Sequence, residues 1–379
     1  MSPIYSLRDI IFYFLKLGTV GFGGPAALIS YMHRDLVEQK LWISEQDYKE
    51  GLALAQLAPG PLAAQLAIYL GYVHYRVLGA TLVGLAFVLP SFIMVVLLGY
   101  IYTLYGGLSW IQAVFYGISA AVIGIIAMSS YKLVTKSIGK DYFLWIIFGL
   151  TAVFTIYTES ESVWLFLIGG ISYMIFKNPP KLNKTNIIAP LGLGFLGAST
   201  SETDTLVKIS LFFAKAGAFV FGSGLAIVPF LYSGVVNDYH WLNEKQFMDA
   251  VAVAMITPGP VVITVAFIGY LVLGFKGAVV AALATFLPCY LLTILPAPYF
   301  KKYGNLPRIK SFVSGITAAA VGAISGAVII LAKRSLLDIN TIIIALVTMF
   351  LLWKYKKLQE PVIIIGAALV GYFLRFFNL

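Results

Sequence analysis

The sequence predicts an all-α integral membrane protein built from two homologous halves of inverted topology, with about five transmembrane helices in each half. Composition, a series of apolar segments and an internal repeat support this prediction. Hydrophobic residues make up 60% and charged residues only 11% of the 379 residues, and the mean hydropathy is +0.92. A water-soluble core and surface could not share such a composition.

Charge and composition also exclude several classes of function. In a membrane protein, a net charge of +10 reflects Lys and Arg in cytoplasmic loops, where they contact anionic lipid. No basic run or zinc-finger spacing suggests a nucleic-acid partner. The single Cys289 excludes an internal disulfide and cysteine-based clusters, and His33, His74 and His240 are too dispersed for a metal site. No cofactor is expected. Without a phosphate-binding loop or a catalytic pairing, the protein is predicted not to be an enzyme.

Apolar segments indicate where the chain crosses the bilayer, whose core takes about 20 residues of helix. They lie near residues 8–31, 78–103, 109–131, 142–158, 162–176, 209–232, 278–299, 311–332, 339–353 and 361–377. We interpret the first segment as a mature helix rather than a signal peptide, because Lys16 interrupts it and no small-residue cleavage site follows. The predicted domains are residues 1–176 and 209–379, joined by a connector at 177–208 that contains three prolines.

The second series of segments repeats the first at an offset of 199 residues, which becomes 198 after a one-residue slip. So many matches in register indicate two homologous halves. The matched pairs include Lys16/Lys215, Gly18/Gly217, Trp42/Trp241, Glu50/Asp249, Pro59-Gly60-Pro61/Pro258-Gly259-Pro260 and Leu89-Pro90/Leu287-Pro288.

Loop charges predict that matching loops lie on opposite faces of a cytoplasmic membrane. Residues 158–161 hold Glu159 and Glu161, whereas their counterparts near 354–357 hold three lysines, and lysine accumulates on the cytoplasmic side. An odd number of crossings per half then makes each Pro-Gly-Pro stretch a re-entrant hairpin and places both termini outside the cytoplasm. The basic loop at 332–340, with Lys333 and Arg334, argues against this orientation.

The two Pro-Gly-Pro turns, in residues 44–76 and 243–275, are the first candidate binding elements. Non-helical backbone inside a membrane is tolerated only where protein buries it or water reaches it. Proline suits a first helical position, so Pro61 and Pro260 should each start a helix whose unpaired N–H groups point inward. Two such starts near the midplane would bind an anion without a metal, although a plain turn after an interfacial helix is the alternative. The candidates are Pro59, Gly60, Pro61, Pro258, Gly259 and Pro260.

Side chains near these turns are further candidates for substrate binding. Lys16 and Lys215 would each cost about 3 kcal/mol near the bilayer centre unless an anion or snorkelling offsets the charge. Gln56, Gln65, Thr257 and Thr264 flank the turns and are expected to donate hydrogen bonds to an oxyanion, with helix–helix bonding as the alternative.

Glycine breaks interrupt the first segment of each half, at Gly23, Gly24 and Pro25 and at Gly222, Ser223 and Gly224. They indicate either an unwound helix that contributes to the substrate site or close helix packing. Glu50 and Asp249 are the carboxylates nearest the expected cavity. They are the candidates for proton coupling, unless they are solvated starts of the hairpins.

The residues FGGP at 22–25, LAQLAPGPLAAQLAIYLGY at 54–72, LP at 89–90, AMITPGP at 254–260 and FLP at 286–288 resemble those of the chromate transporter family. The resemblance covers essentially the whole chain and is closest to members with two fused domains. It implies chromate export, with the isosteric sulfate dianion as a further ligand. The second half departs from the pattern at Gly222-Ser223-Gly224 and at Thr264, so unequal half-sites are expected.

We therefore predict a secondary transporter that exports a tetrahedral oxyanion through alternating access, and the resemblance implies that this oxyanion is chromate. An exchanger or channel for another inorganic anion, such as sulfate or chloride, is the alternative, followed by a membrane enzyme or a purely structural membrane protein. The expected partners are the oxyanion and the lipid bilayer, without nucleic acid, and a homodimer is left open.

Overall fold

The computed structural model describes residues 5–22, 24–160, 162–179, 202–219, 224, 227–303, 306–355 and 358–376. Within these ranges the regular elements are helices and no strand occurs. Four helices there are long and apolar enough to cross a membrane, and three shorter apolar helices accompany them. These findings confirm the predicted all-helical membrane fold. Residues 180–201 of the predicted connector lie outside the described residues.

The helices follow the repeat in the sequence. Those of the first half are α1 (Leu7–Val20), α2 (Gly24–Met32), α3 (Glu45–Leu57), α4 (Leu62–Tyr105), α5 (Ser109–Ser137), α6 (Tyr142–Thr158) and α7 (Val163–Lys177). Those of the second half are α8 (Glu202–Phe219), α9 (Ile227–Tyr232), α10 (Glu244–Ile256), α11 (Thr264–Ile294), α12 (Ala297–Tyr303), α13 (Pro307–Ser335), α14 (Ile339–Lys354) and α15 (Glu360–Phe376). Short π-helical segments extend α2 and α9, at His33–Gln39 and Ser233–Asp238, and a 3-10 turn at Val261–Ile263 precedes α11.

Polar side chains determine where several helices begin. Ser6 caps α1, Ser44 caps α3, Asp141 caps α6, Asn243 caps α10 and Asp338 caps α14, each by accepting a hydrogen bond from a backbone N–H of the first turn. Such caps satisfy N–H groups that have no carbonyl partner within the helix.

The first apolar segment folds back on itself at its glycine break. The Tyr13 hydroxyl donates to Asp35 Oδ2 at 3.2 Å, and the Tyr5 ring stacks on Trp42 with centroids 4.9 Å apart. These contacts pair the start of α1 with the end of the α2 extension. Gly24 opens α2 with a φ of 71°, which other residues rarely adopt. The segment predicted to cross near residues 8–31 is therefore a helical hairpin.

The second half has the same hairpin. The Phe212 ring on α8 lies 5.6 Å from the Tyr239 ring and 5.8 Å from the Trp241 ring, both beyond α9. The segment predicted to cross near residues 209–232 folds back in the same way. The five predicted segments of each half thus comprise one glycine hairpin and four further helices, namely α4 to α7 and α11, α13, α14 and α15.

Each Pro-Gly-Pro turn joins two packed helical arms. Gly51 on α3 lies directly against the Tyr69 ring on α4, and the Tyr69 hydroxyl donates to Glu50 Oε2 at 3.5 Å. In the second half α10 packs against α11 across the equivalent turn. These arms have the shape that a re-entrant hairpin requires, while their depth in the bilayer remains a prediction.

A sharp reversal follows the second arm of each hairpin. In α4 the reversal lies at Arg76, with φ 52° and ψ −141°, and the backbones of Gly71 and Gly79 meet beside it. In α11 it lies at Leu273 and Gly274, where Gly269 and Gly277 meet in the same way. Glycine permits this approach, because a β-carbon at any of these contacts would overlap the facing backbone. The long crossing helices therefore start after residues 76 and 274.

The directions of the helices show that the halves are inverted. Ser130 Oγ on α5 lies 2.8 Å from Ser325 Oγ on α13, and the Ala152 carbonyl on α6 faces the next residue, Gly326. Thus α5 and α6 pass the same level of α13, and the chain turns back between them over residues 138–141. The two helices therefore run in opposite directions.

In contrast, α6 and α13 run in the same direction. Gly322 contacts Phe148 and Thr151, and Gly326, one turn later, contacts Ala152. Because α13 repeats α5 in the sequence but runs parallel to α6, equivalent helices of the two halves are antiparallel. The predicted inverted repeat is confirmed by this geometry.

The ends of the described chain lie on opposite faces of the molecule. Residues 77–105 span about 40 Å at 1.5 Å per residue. Tyr5 bonds to His74 Nδ1 at 2.7 Å beside the start of this helix, whereas Arg375 covers the Tyr116 ring at 4.8 Å beyond its end. We name the two surfaces the Arg76 face and the Arg375 face. The prediction that both termini share one face therefore differs from the structure, because α7 ends on the Arg76 face whereas α8 starts towards the Arg375 face.

Glycine contacts between α1 and α4 provide a first prediction. A β-carbon at Gly18 would overlap the Phe87 carbonyl, whereas one at Gly149 would meet nothing within 4 Å. We expect Gly18→Ala to lower the melting temperature in detergent, since two packed backbones must separate. Gly149→Ala should leave it unchanged or raise it, because alanine favours a helix by about 1 kcal/mol over glycine. Equal melting temperatures for the two variants would contradict the packing.

Candidate functional site

The centre of the molecule is the crossing of α4 and α11. The Thr81 and Tyr290 hydroxyl oxygens are 2.6 Å apart on one side of the crossing, and the Phe92 and Phe275 rings are 6.3 Å apart on the other. Residue numbers rise along one helix as they fall along the other, so the two helices are antiparallel. The tips of both Pro-Gly-Pro turns contact this crossing.

The second Pro-Gly-Pro tip contacts two elements of the first half, the tip of its glycine hairpin and helix α4. The Gly259 N–H donates to the Gly21 carbonyl at 3.0 Å, at the tip of the first glycine hairpin. Gly259 also lies directly against Ser91 on α4, so that no β-carbon fits between them. Its φ of 96° is a second reason for glycine at this position. A hairpin from the Arg375 face thus meets a hairpin from the Arg76 face.

The first Pro-Gly-Pro tip contacts the second half in the equivalent place. A β-carbon at Gly60 would lie 3.1 Å from Cys289 Sγ on α11 and 2.7 Å from Gln65 Nε2. Cys289 and Ser91 occupy matching positions at the offset of 198 residues. The two tips therefore approach the central crossing from opposite faces and contact equivalent residues.

Each turn is followed by a helix start, which carries a partial positive charge. The first helical bond of α4 runs from the Gln65 N–H to the Pro61 carbonyl at 3.0 Å, so the N–H groups of residues 62–64 have no helical acceptor. Pro61 and Pro260 are the residues before the first helical position, one place earlier than predicted. Pro260 precedes a 3-10 turn rather than an α-helix, so the two starts differ in shape.

The amide and hydroxyl side chains beside the turns bond to their own hairpins. Gln65 Nε2 donates to the Pro59 carbonyl at 2.7 Å, Thr257 Oγ1 to Ala254 at 2.9 Å and Thr264 Oγ1 to Val261 at 2.8 Å. Gln56 is exposed, and Pro258 is buried with the rest of its turn. In this state the threonines and the Gln65 amide stabilise the turns, and their donation to an oxyanion remains a prediction.

Two buried polar atoms at the tips lack a partner. Among the described residues, Gln65 Oε1 and Ser91 Oγ are buried without a hydrogen-bond partner. Such groups are costly unless a ligand or water completes them. Ser91 was not predicted from the sequence, although it follows the repeated Leu-Pro at 89–90, which marked the position.

The structure does not bring the two lysines to the tips. Lys16 and Lys215 are exposed, while Gly18 and Gly217 beside them contact α4 and α11. The Lys215 ammonium lies 5.8 Å from the centre of the Phe230 ring on α9. A role for either lysine in substrate binding remains a prediction.

The glycine breaks are only partly described. Gly23, Gly222 and Ser223 lie outside the described residues, whereas Pro25 lies in the first turn of α2 and Gly224 packs near Val261 and Val262. The carboxylate oxygens of Glu360 lie 3.7 and 3.8 Å from the position that a β-carbon of Gly24 would take. No sequence pattern predicted that Glu360, at the start of α15, would lie beside the tip of the first hairpin.

A cavity of about 780 Å³ opens on the Arg375 face. Its lining comes from the start of α5, the start of α10, the connection between α13 and α14, and the end of α15. Arg334 crosses one wall and donates to Glu244, the Tyr232 hydroxyl and Asn237, and it pairs with Glu159. This network joins the second hairpin to the connection between α6 and α7.

The same cavity contains Asp338 and Asp249. Burial raises the pKa of Asp338, but hydrogen bonds from the Thr341 N–H and the Tyr116 hydroxyl outweigh it and hold the pKa below its usual value. Asp249 is 1% exposed and accepts a hydrogen bond from the Tyr102 hydroxyl at 2.7 Å. No cluster of three metal-ligating side chains occurs among the described residues.

Comparison with known proteins reveals similarity over almost the whole chain. The family model described as chromate transporter matches residues 8–174 and 207–372. A chromate transport protein of Cupriavidus metallidurans is 66% identical over 98% of this chain and 94% of its own. A probable chromate transport protein of Synechococcus elongatus is 61% identical over 98% of this chain and 96% of its own. An uncharacterized transporter of Methanocaldococcus jannaschii is 30% identical over 97% and 94%. No solved structure matches the chain.

Contact of the second tip with Ser91 provides the next prediction. Gly259 and Gly274 both have positive φ, but only at Gly259 would a β-carbon overlap a neighbour. Gly259→Ala should therefore destabilise the protein more than Gly274→Ala, which pays only the backbone strain of about 1 kcal/mol. Thermal unfolding in detergent measures the difference. A Gly274→Ala variant as unstable as Gly259→Ala would show that the tip contact contributes nothing.

Proposed function

Since the chain belongs to the chromate transporter family, we propose that it exports chromate across the cytoplasmic membrane by alternating access. One observation carries the structural part of this proposal. Two helix starts from inverted halves approach the crossing of α4 and α11 from opposite faces. Such starts suit an anion, because their N–H groups and partial positive charges favour it.

The chemistry at the tips suits a tetrahedral dianion. The backbone N–H groups of residues 62–64 supply donors at the first tip, and the Ser91 hydroxyl supplies one at the second tip, without a metal or cofactor. Hydrogen bonds to an ionised acceptor are about twice as strong as neutral ones, so a few donors suffice in a buried site. The Ser91 hydroxyl would thus gain the acceptor that it lacks among the described residues.

The inverted repeat supports the proposed alternating access. Two halves with the same local structure and opposite directions can exchange conformations, which opens the site to one face and then to the other. Arg334 on α13 pairs with Glu244 of the second hairpin and with Glu159. Glu45, which matches Glu244 in the repeat, pairs instead with His33 and Lys49 of its own half. We propose that the Arg334 contacts break and re-form during each cycle.

The direction of transport depends on which face is cytoplasmic. Basic residues at helix ends favour the Arg76 face, in accordance with the positive-inside rule. That face carries Lys132, Lys136, Lys140, Lys177, Arg308, Lys310 and Lys354. The Arg375 face carries Lys245, Lys333, Arg334 and Arg375, and Arg334 is paired with two glutamates. The proposal therefore places the cavity outside the cytoplasm.

The alternative is an exchanger or channel for another inorganic anion. Purified protein in liposomes should take up radiolabelled chromate with saturation, and excess sulfate should compete if both dianions share the site. Uptake of chloride in preference to chromate would favour the alternative. Liposomes that show no chromate flux at all, with correctly folded protein, would overturn the proposal.

The lysines of α1 and α8 provide a further prediction. If their ammonium groups attract the anion, Lys16→Ala or Lys215→Ala should reduce chromate uptake by about tenfold, the loss of about 1.4 kcal/mol. Lys140→Ala removes an exposed lysine on the Arg76 face and serves as the matched control. Everted membrane vesicles measure the uptake, and immunoblots measure insertion. Unchanged uptake in both variants would remove the lysines from the transport path.

A further inference from the structure

Asp249 is unusual among the charged residues. It is buried to 1% exposure, more than one turn into α10. Its Oδ2 accepts from the Tyr102 hydroxyl, and its Oδ1 has no partner in the part of the chain that the structure describes. An ionised carboxylate with a vacant oxygen is costly in a protein interior, so a proton at that oxygen would relieve the cost.

Asp249 also lines the cavity of about 780 Å³ on the Arg375 face. The titratable groups that face this cavity from the surrounding helices are Glu244 and Lys245 on α10, Tyr116 on α5, Arg334 on α13, Asp338 before α14, and Tyr372 and Arg375 on α15. Arg334 and Asp338 have their own partners, as described above. Tyr102 on α4 donates to Asp249 and is not among the residues that line the cavity.

We propose that Asp249 is a proton-binding site, filled through this cavity, and that it couples proton uptake to anion export. The inference rests on the proposed function and names its coupling ion. A hydronium ion in the cavity transfers its proton to Asp249 Oδ1 and leaves a water molecule, while the carboxylate becomes a neutral acid. The same proton leaves on the other face later in the cycle, which restores the carboxylate.

The Tyr102 hydrogen bond connects the proton to the movement of the hairpin. Tyr102 belongs to α4 of the first half and Asp249 to the hairpin of the second half, so any displacement of the hairpin along α4 stretches this bond. The bond is stronger when the acceptor is ionised. Protonation of Asp249 therefore weakens the connection between the halves and favours displacement, without any new contact.

The matching residue of the first half differs from Asp249 in its burial and in its relation to the cavity. Glu50 is only partly buried, and it accepts from Gln46 at 3.1 Å and from Tyr69 at 3.5 Å, both within its own half. It starts from the Arg76 face, which does not carry the cavity. The observations therefore distinguish Asp249 from Glu50, although the sequence matches them in the repeat.

Two assays on proteoliposomes test the inference. One measures exchange of radiolabelled chromate for unlabelled chromate without a pH gradient, and the other measures uptake driven by an imposed gradient. Asp249→Asn imitates the protonated acid, so we expect exchange to continue and the gradient response to be lost. Tyr102→Phe removes a donor to the carboxylate and should move the midpoint of the pH dependence upward by about one unit.

Matched controls use the same substitutions nearby. Asp238→Asn changes an exposed carboxylate, and Tyr100→Phe changes an exposed tyrosine of α4, so neither should alter either assay. The inference would be overturned if uptake by Asp249→Asn still responded to the pH gradient. It would also be overturned if Glu50→Gln lost this response and Asp249→Asn kept it. Loss of exchange in Asp249→Asn would also overturn it, since a site used only for coupling is not needed for exchange. If the wild-type protein exchanges no chromate, the proposed function itself fails; if it exchanges chromate and ignores the gradient, only the coupling fails.

Discussion

The need to bury irregular backbone inside a membrane controls this architecture. The breaks in each half include a glycine hairpin and a Pro-Gly-Pro turn, and each of these leaves polar backbone groups without helical partners. The structure places these breaks against one another at the crossing of α4 and α11. The Gly259 N–H bonds to the Gly21 carbonyl, and Gly60 packs beside Cys289. Each Pro-Gly-Pro tip is therefore buried against the other half. Close approach of backbones at glycine makes this arrangement compact.

Inversion of the halves and the differences between them have separate roles. The antiparallel relation of equivalent helices provides two similar routes to one centre. The side chains at matching positions are unequal: Cys289 matches Ser91, and Thr264 matches Gln65. Glu244, which pairs with Arg334, matches the exposed Glu45. A symmetric backbone thus carries an asymmetric set of polar groups.

Much of the fold follows from sequence patterns, because repeats and helix breakers act locally. The offset of 198 or 199 residues predicted two homologous halves, and the loop charges predicted their inversion. Proline and glycine predicted the breaks at residues 59–61 and 258–260. Length alone misled at residues 8–31, where an apolar stretch long enough to cross folds back at Gly24 instead. Hydropathy does not distinguish one long helix from two short antiparallel ones.

The side chains of the site were harder to predict than the fold, because their roles depend on tertiary neighbours. Lys16 and Lys215 matched in the repeat, yet both are exposed. Only the repeated Leu-Pro before it marked the position of Ser91, and no charge pattern or spacing marked Glu360. Tyr102 and Asp249 are 147 residues apart, and only the folded chain brings them together. No local pattern contains such a pair.

Interlocking of the halves has a consequence for biosynthesis. Helix α5 packs on α14 and α15, and α6 and α7 pack on α13, so each half is completed by the other. During translation, α5, α6 and α7 enter the lipid before the second-half helices that they pack against. The N-terminal half can therefore mature only after the last residues have been inserted, and a premature stop codon near the 3′ end of the message would harm both halves.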